Sequence, residues 1–178
     1  TPKTTWAECK WRVIGIAPGG GAPTAVVPLG VSPDEHVHQY GEFYRKGDVA
    51  IDDVMGYLGK LANLGRIDMV VVDPSAKGWT EQLQRYGYPA YAANNSRGAG
   101  LESVRFLLQN GRLTIGESCQ NSIAEFGSYR WAKRKDQDTG ERYATNAAND
   151  HHADAMDARR YAVMAILKTV IKVGEVAD

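Results

Sequence analysis

The residues best suited to chemistry lie in Asn149–Ala162, near the C-terminal end. The pattern predicts the first turns of a long helix there. At roughly 100° per residue, Asp150, Asp154, Asp157 and Tyr161 share one narrow stripe. Beside it runs an apolar arc of Ala153, Met156, Val163, Met164, Leu167 and Ile171. The carboxylates therefore border the face that must be buried. Bringing like charges to the edge of a core is costly unless a cation or a proton compensates. A divalent metal held by carboxylate oxygens is the simplest compensation. The plainer reading is a helix start, since acids are favoured in a first turn by the macrodipole. That reading covers Asp150 as an N-cap and fades for Asp154 and Asp157.

Other places also carry chemically interesting types. Asp73 closes the apolar run Asp68–Asp73 and precedes Pro74. It is either a turn-former or a group at the C-terminal end of a strand, where open α/β sheets bind ligands. Ala17 ends a buried strand just before Pro18-Gly19-Gly20-Gly21, a place built to project a side chain, yet it is alanine. The glycine turn has no following Gly-Lys-Ser/Thr, and a strand, not a helix, comes next, so neither nucleotide-loop pattern fits. His36 and His38 alternate on a predicted strand and so share a face, expected to be exposed. No Cys or further His lies at zinc spacing from them. His151 and His152 flank the aspartate stripe as candidate proton-handling or ligand-orienting groups. Lys77, Arg97, Arg105, Lys133, Arg134, Lys135, Arg142 and Arg159 are the cations that could meet phosphates, with Lys133–Lys135 either a solvated loop or a backbone grip.

The elements that would position these groups follow from the patterning. Trp11–Ala17, Thr24–Leu29 and Val37–Tyr44 read as strands joined by short turns, an antiparallel meander. Asp48–Leu64 reads as a helix stopped by Gly65, and Asp68–Asp73 as a central parallel strand. Trp79–Tyr86 is a short helix and Ala90–Ala93 a strand. Leu101–Asn110 is a helix closed by Gly111, with a short strand over Arg112–Ile115. Ser118–Trp131 is a helix with Ile123, Phe126 and Arg130 on one side. Lys133–Tyr143 is an exposed hairpin or loop around Asp138-Thr139-Gly140. The last helix spans about Asp150–Val173. Together these predict an α/β fold: a mixed sheet, three antiparallel strands then parallel ones, flanked by helices.

The 178 residues suit one domain with a real core. No apolar run approaches a membrane span, and no signal-peptide core opens the chain. The chain lacks an initiator Met and is expected to be part of something longer. Its two cysteines, Cys9 and Cys119, are expected as reduced thiols. With 21 basic and 21 acidic residues the net charge is zero. That argues against an autonomous nucleic-acid binder, though not against an enzyme handed nucleic acid by a partner domain.

Taken together, the residues resemble the C-terminal nuclease domain of a tailed-bacteriophage terminase large subunit, a family with an RNase H-like, retroviral-integrase fold. The resemblance rests on Val13-Ile14-Gly15-Ile16-Ala17-Pro18-Gly19-Gly20, on Val70-Val71-Val72-Asp73-Pro74-Ser75, on Glu125 with Tyr129-Arg130-Trp131, and on the helix His152–Ala162. It implies one domain over 1–178 that cuts double-stranded DNA during genome packaging with a two-ion Mg2+ or Mn2+ site. By position, Asp73 and Asp154 or Asp157 are implied as metal ligands, and Ala17 stands where the family has its first aspartate. An inactivating Asp-to-Ala change at that position is the expected reason. The resemblance also implies DNA contacts by Lys77, Arg97, Lys133, Arg134, Lys135 and Arg142, with His151, His152 and Asp150 supporting the ligands. Implied partners are an ATPase domain preceding Thr1, the portal and the small terminase subunit, in the host cytoplasm and away from membranes. The competing readings are a Holliday junction resolvase type of nuclease, a non-catalytic DNA-docking module, and a sugar-kinase fragment that would need a second phosphate loop.

Overall fold

The computed structural model describes residues 2–128, 131–135, 142–148 and 154–169. Strand β1 (Trp11–Ala17) is the centre of the architecture. Val13 and Ala17 pack into one core layer, and Ile14 and Ile16 into the other. A strand covered on both faces has no polar side to show, which is why it reads as an unbroken apolar run. The same holds for β2 (Thr24–Val31), antiparallel to β1, and for β5 (Met69–Val72), parallel to it. With β3 (Val37–Gln39), β4 (Phe43–Arg45), β6 (Ala90–Ala92) and β7 (Leu113–Ile115) they form a seven-stranded sheet in the order β6-β5-β1-β2-β3-β7, with β4 also on β2.

One expected strand, Val37–Tyr44, is two. β3 pairs with the Leu29–Val31 end of β2, and β4 with the Thr24–Val26 end. The break falls opposite Pro28, whose carbonyl accepts from the Tyr40 N–H at 3.1 Å. Proline has no N–H to return, so the ladder is interrupted there.

Helices α1 (Ile51–Leu64) and α2 (Lys77–Arg85) cover one face, through Val54, Leu58 and Leu83. α3 (Arg97–Gln109) and α5 (Asp154–Thr169) cover the other, through Val104, Leu107, Ala155, Ala158, Tyr161, Ala162, Val163 and Ile166. Gly65 closes α1 as expected, its N–H bonded to the Leu61 carbonyl. α5 crosses β1 in close contact. A Cβ on Gly15 would fall inside the Ala158 carbonyl group and 3.3 Å from the Ala162 Cβ. The small residues at 15, 158 and 162 thus set how near the helix comes to the sheet.

α4 (Gln120–Ser128) is shorter than the expected Ser118–Trp131. Trp131 instead opens β8 (Trp131–Lys135), which pairs antiparallel with β9 (Arg142–Ala148). The pairing of Trp131 with Ala148 takes the backbone that a longer helix would have used. The expected hairpin is present, and its Asp138-Thr139-Gly140 turn lies outside the described residues. So do the expected beginning and end of the last helix. Among the described residues no helix is long and apolar enough to cross a membrane.

Candidate active site

Strand register brings four residues into one row across the sheet. Ala17 pairs with Ala25, and Ala25 with Tyr44. On the other side Ile16 pairs with Val72, and the Asp73 N–H donates to the Ile16 carbonyl at 3.0 Å. The row therefore runs Asp73, Ala17, Ala25, Tyr44, with neighbours about 4.8 Å apart, the ordinary strand spacing. Ala17, Ala25 and Tyr44 all belong to the core layer beneath α5. Register alone places Asp73 beside Ala17, at the C-terminal ends of two adjacent parallel strands. Ala17 is 7% exposed. A carboxylate at that position would be nearly closed off from water and would need a compensating cation.

The Asp73 carboxylate is held from two sides. Its Oδ1 accepts from the Ser75 N–H at 2.8 Å and the Ser75 hydroxyl at 2.6 Å. Its Oδ2 accepts from the Tyr161 hydroxyl at 2.6 Å. Partial burial pushes its pKa up, but the bonds from Ser75 and Tyr161 and the nearby Arg160 charge outweigh that. The net effect holds the Asp73 carboxyl below its ordinary value, so it is an anion at neutral pH. The Tyr161 phenol is pushed up, by burial first and then by the bond to Asp73.

Asp157 connects to the same cluster. Its Oδ1 accepts from Arg160 Nε at 3.2 Å and Nη2 at 2.9 Å. Arg160 Nη2 also donates to Asn95 Oδ1 at 3.1 Å, and the Tyr161 hydroxyl lies 3.3 Å from that oxygen. Gly100 on α3 leaves the room through which the Arg160 side chain passes. Asp73, Tyr161, Asn95, Arg160 and Asp157 thus form one hydrogen-bonded chain from β5 to α5. Of the expected stripe, Tyr161 reaches Asp73 and Asp157 holds Arg160, while Asp150 lies outside the described residues.

Asp154 begins α5 at the Tyr44 end of the row. Glu125 of α4 lies buried there, its carboxylate accepting from the Tyr44 hydroxyl and from the Ala155 and Met156 N–H groups. Burial pushes the Glu125 carboxyl above its ordinary value, against the pull of those three donors.

Several expectations are corrected. Arg159 cannot reach a phosphate. It is fully buried, with Nε on Gln39 Oε1 at 3.0 Å and its guanidinium 5.7 Å from the centre of the Phe126 ring. Burial pushes its pKa down to about 10. His38 is buried, not exposed. His36 Nε2 and His38 Nδ1 lie 2.8 and 2.6 Å from the Thr114 hydroxyl, beside a cavity of about 640 Å3 at the β3–β7 edge. Lys77, Arg97 and Arg105 are exposed. Asp150, His151 and His152 lie outside the described residues, as do the side chains of Lys133, Arg134, Lys135 and Arg142. Sequence reasoning missed Asn95, Tyr44 and Arg160, and gave Glu125 no role. A polar side chain carries no sign in the sequence of the distant partner that the fold will bring to it.

The donor set bears on metal binding in a specific way. Among the described residues no three His, Cys, Asp or Glu side chains converge as an ion's ligands would. The residues present do not fit a two-ion site while position 17 is alanine. The methyl group stands next to Asp73 in the row, where a carboxylate would adjoin it.

A mixed sheet with this strand order, covered by helices on both faces, is an RNase H-like fold. The particular likeness is to large terminases of tailed phages. The chain is 24% identical over 157 residues to the terminase large subunit of Escherichia phage T5, matching 86% of this chain and 35% of that protein. It thus spans about a third of that relative's length. Its fold matches the large terminase of a thermophilic bacteriophage with a TM-score of 0.77 at 21% identity, over 94% of this chain and 42% of that one. It matches the nuclease domain of the large terminase (g2p) of bacteriophage SPP1, solved with bound Mn, with a TM-score of 0.69 at 17% identity, over 92% of each chain. No protein-family model matches.

Proposed function

We propose that this chain is the nuclease domain of a phage large terminase, a metal-dependent endonuclease for double-stranded DNA during genome packaging, inactivated in this form by alanine at position 17. The observation that carries the reading is Asp73 beside Ala17 at the strand ends, with α5 tied to Asp73 through Tyr161 at 2.6 Å. In the chain with aspartate at that position, the metal ligands are that carboxylate, Asp73 and Asp154 or Asp157. Bound Mg2+ or Mn2+ would activate water and stabilise the leaving oxygen of a phosphodiester. The residues of the chain itself do the remaining work. Ser75 and Tyr161 hold the Asp73 carboxylate in one orientation and keep it ionised, and Arg160 sets Asp157.

The substrate and partner assignments follow the same reading. Double-stranded DNA would lie across the strand ends, with Lys77, Arg97 and the β8–β9 hairpin, which carries Lys133, Arg134, Lys135 and Arg142, as backbone contacts. Asp150, His151 and His152 would support the helix ligands. The full-length chain would add an ATPase domain and meet the portal and the small subunit in the host cytoplasm.

The test is plasmid nicking. The Ala17→Asp chain should convert supercoiled plasmid to open-circle and linear forms with Mn2+ or Mg2+. The original chain, and Ala17→Asp combined with Asp73→Asn, should not. Absence of nicking by Ala17→Asp under saturating Mn2+ would favour a DNA-docking module instead. Preference for four-way junctions over linear duplex would favour a resolvase.

A further inference from the structure

We propose that Glu125 is a positioning residue, which fixes the acidic first turn of α5 over the Asp73–Ala17–Ala25–Tyr44 row; this rests on the nuclease reading above. Glu125 sits on α4 and is 5% exposed. Its Oε2 accepts from the Ala155 N–H at 2.8 Å and the Met156 N–H at 3.0 Å. Its Oε1 accepts from the Tyr44 hydroxyl at 2.8 Å.

The first N–H groups of a helix have no partners within the helix and carry its positive end. A Ser, Thr or Asp just before the helix usually satisfies them without burying a charge. Here the acceptor is a buried carboxylate from another helix, 30 and 31 positions away in the chain. A local cap fixes a helix's own first turn. A cap delivered by another element also fixes where that turn sits in the fold. Ala155 directly follows Asp154, and Met156 directly precedes Asp157, so holding these two amides sets the backbone under both candidate ligands.

The third bond gives the cap its reference point. Tyr44 is the last member of the row that contains position 17, so the Tyr44–Glu125 bond ties α5 to the sheet at that end. At the other end Tyr161 ties α5 to Asp73 at 2.6 Å. Position 17 lies between the two ties. Through these bonds Glu125 acts on α5 and on the sheet, which is a positioning role.

The experiment measures Mn2+ affinity by titration calorimetry in the Ala17→Asp chain, well below its Tm, alongside thermal unfolding. Adding Glu125→Gln keeps the shape but loses an anionic acceptor. It should weaken Mn2+ binding by about tenfold or more, the usual scale for partners that orient metal ligands. Adding Tyr44→Phe cuts the tie to the sheet and leaves the cap. It should weaken binding several-fold with helix content unchanged. Adding Val54→Ala, in the opposite core layer, should lower Tm and leave the affinity alone. If Glu125→Gln fails to fold, Tyr44→Phe decides. A lowered Tm with parental Mn2+ affinity in the Glu125→Gln chain, or parental affinity in Tyr44→Phe, would make Glu125 an ordinary structural cap. No Mn2+ binding by the Ala17→Asp parent would overturn the nuclease reading, and this proposal with it.

Discussion

The Tyr161 hydroxyl donates to the Asp73 carboxylate at 2.6 Å and so joins the interior of α5 to the end of β5. The two residues are 88 positions apart in the chain. With the two bonds from Ser75, it holds the strand-end acid in one orientation and keeps it ionised.

Removing that bond with Tyr161→Phe should cost roughly 1.5–3 kcal/mol of stability, the range for a hydrogen bond to a charged group, read by urea unfolding at pH 7. It should also move the Asp73 carboxyl up towards its ordinary value of 3.8. The folded-state pKa of Asp73 is depressed, so its contribution to stability is present above the unfolded value and lost as pH falls through the folded one. Tyr161→Phe should narrow that acid window, which a carboxyl NMR titration reads directly.

Gly15 should tolerate no side chain. Its Cβ position is already taken by the Ala158 carbonyl group. Gly15→Ala must push α5 off β1 and should destabilise by about 1–3 kcal/mol, the usual cost of overpacking. A thermal melt measures the loss. An unchanged Tm would mean that α5 does not sit against β1 as described.

His38 should make stability depend on pH between about 4 and 6.5. Burial, with the neighbouring His36 charge, pushes its pKa from 6.5 to about 4. Between those values the unfolded chain binds the proton and the folded chain does not, so stability falls as pH falls across that interval. His38→Gln should flatten this part of the curve in urea unfolding measured across pH. A slope unchanged by the substitution would assign it to other groups.

The sheet was legible because its central strands are buried on both faces. Val13–Ala17 and Val70–Val72 leave no polar alternation to misread, and glycine marks the ends of α1 and α3. The split of the third strand was not legible, because it depends on which edge of β2 the missing Pro28 N–H faces. The helix carrying Asp154, Asp157 and Tyr161 was legible from helical period alone. The burial of Arg159 and Arg160 was not. Periodicity counts arginine as polar, whereas Gln39, Asn95 and Asp157 supply partners that only the fold brings near. Glu125 was hidden in the same way, since its three donors come from β4 and from a helix that starts about 30 residues later.

We propose that position 17, Asp73 and the acidic residues of α5 surround a divalent-ion site from which one carboxylate is missing. Crystals of the Ala17→Asp chain soaked in Mn2+ and measured at the manganese edge test it most directly. An anomalous peak within coordinating distance of position 17 and Asp73, with an Asp154 or Asp157 oxygen beside it, is the expected result. A fully occupied peak elsewhere, or none there at saturating Mn2+, would contradict the account.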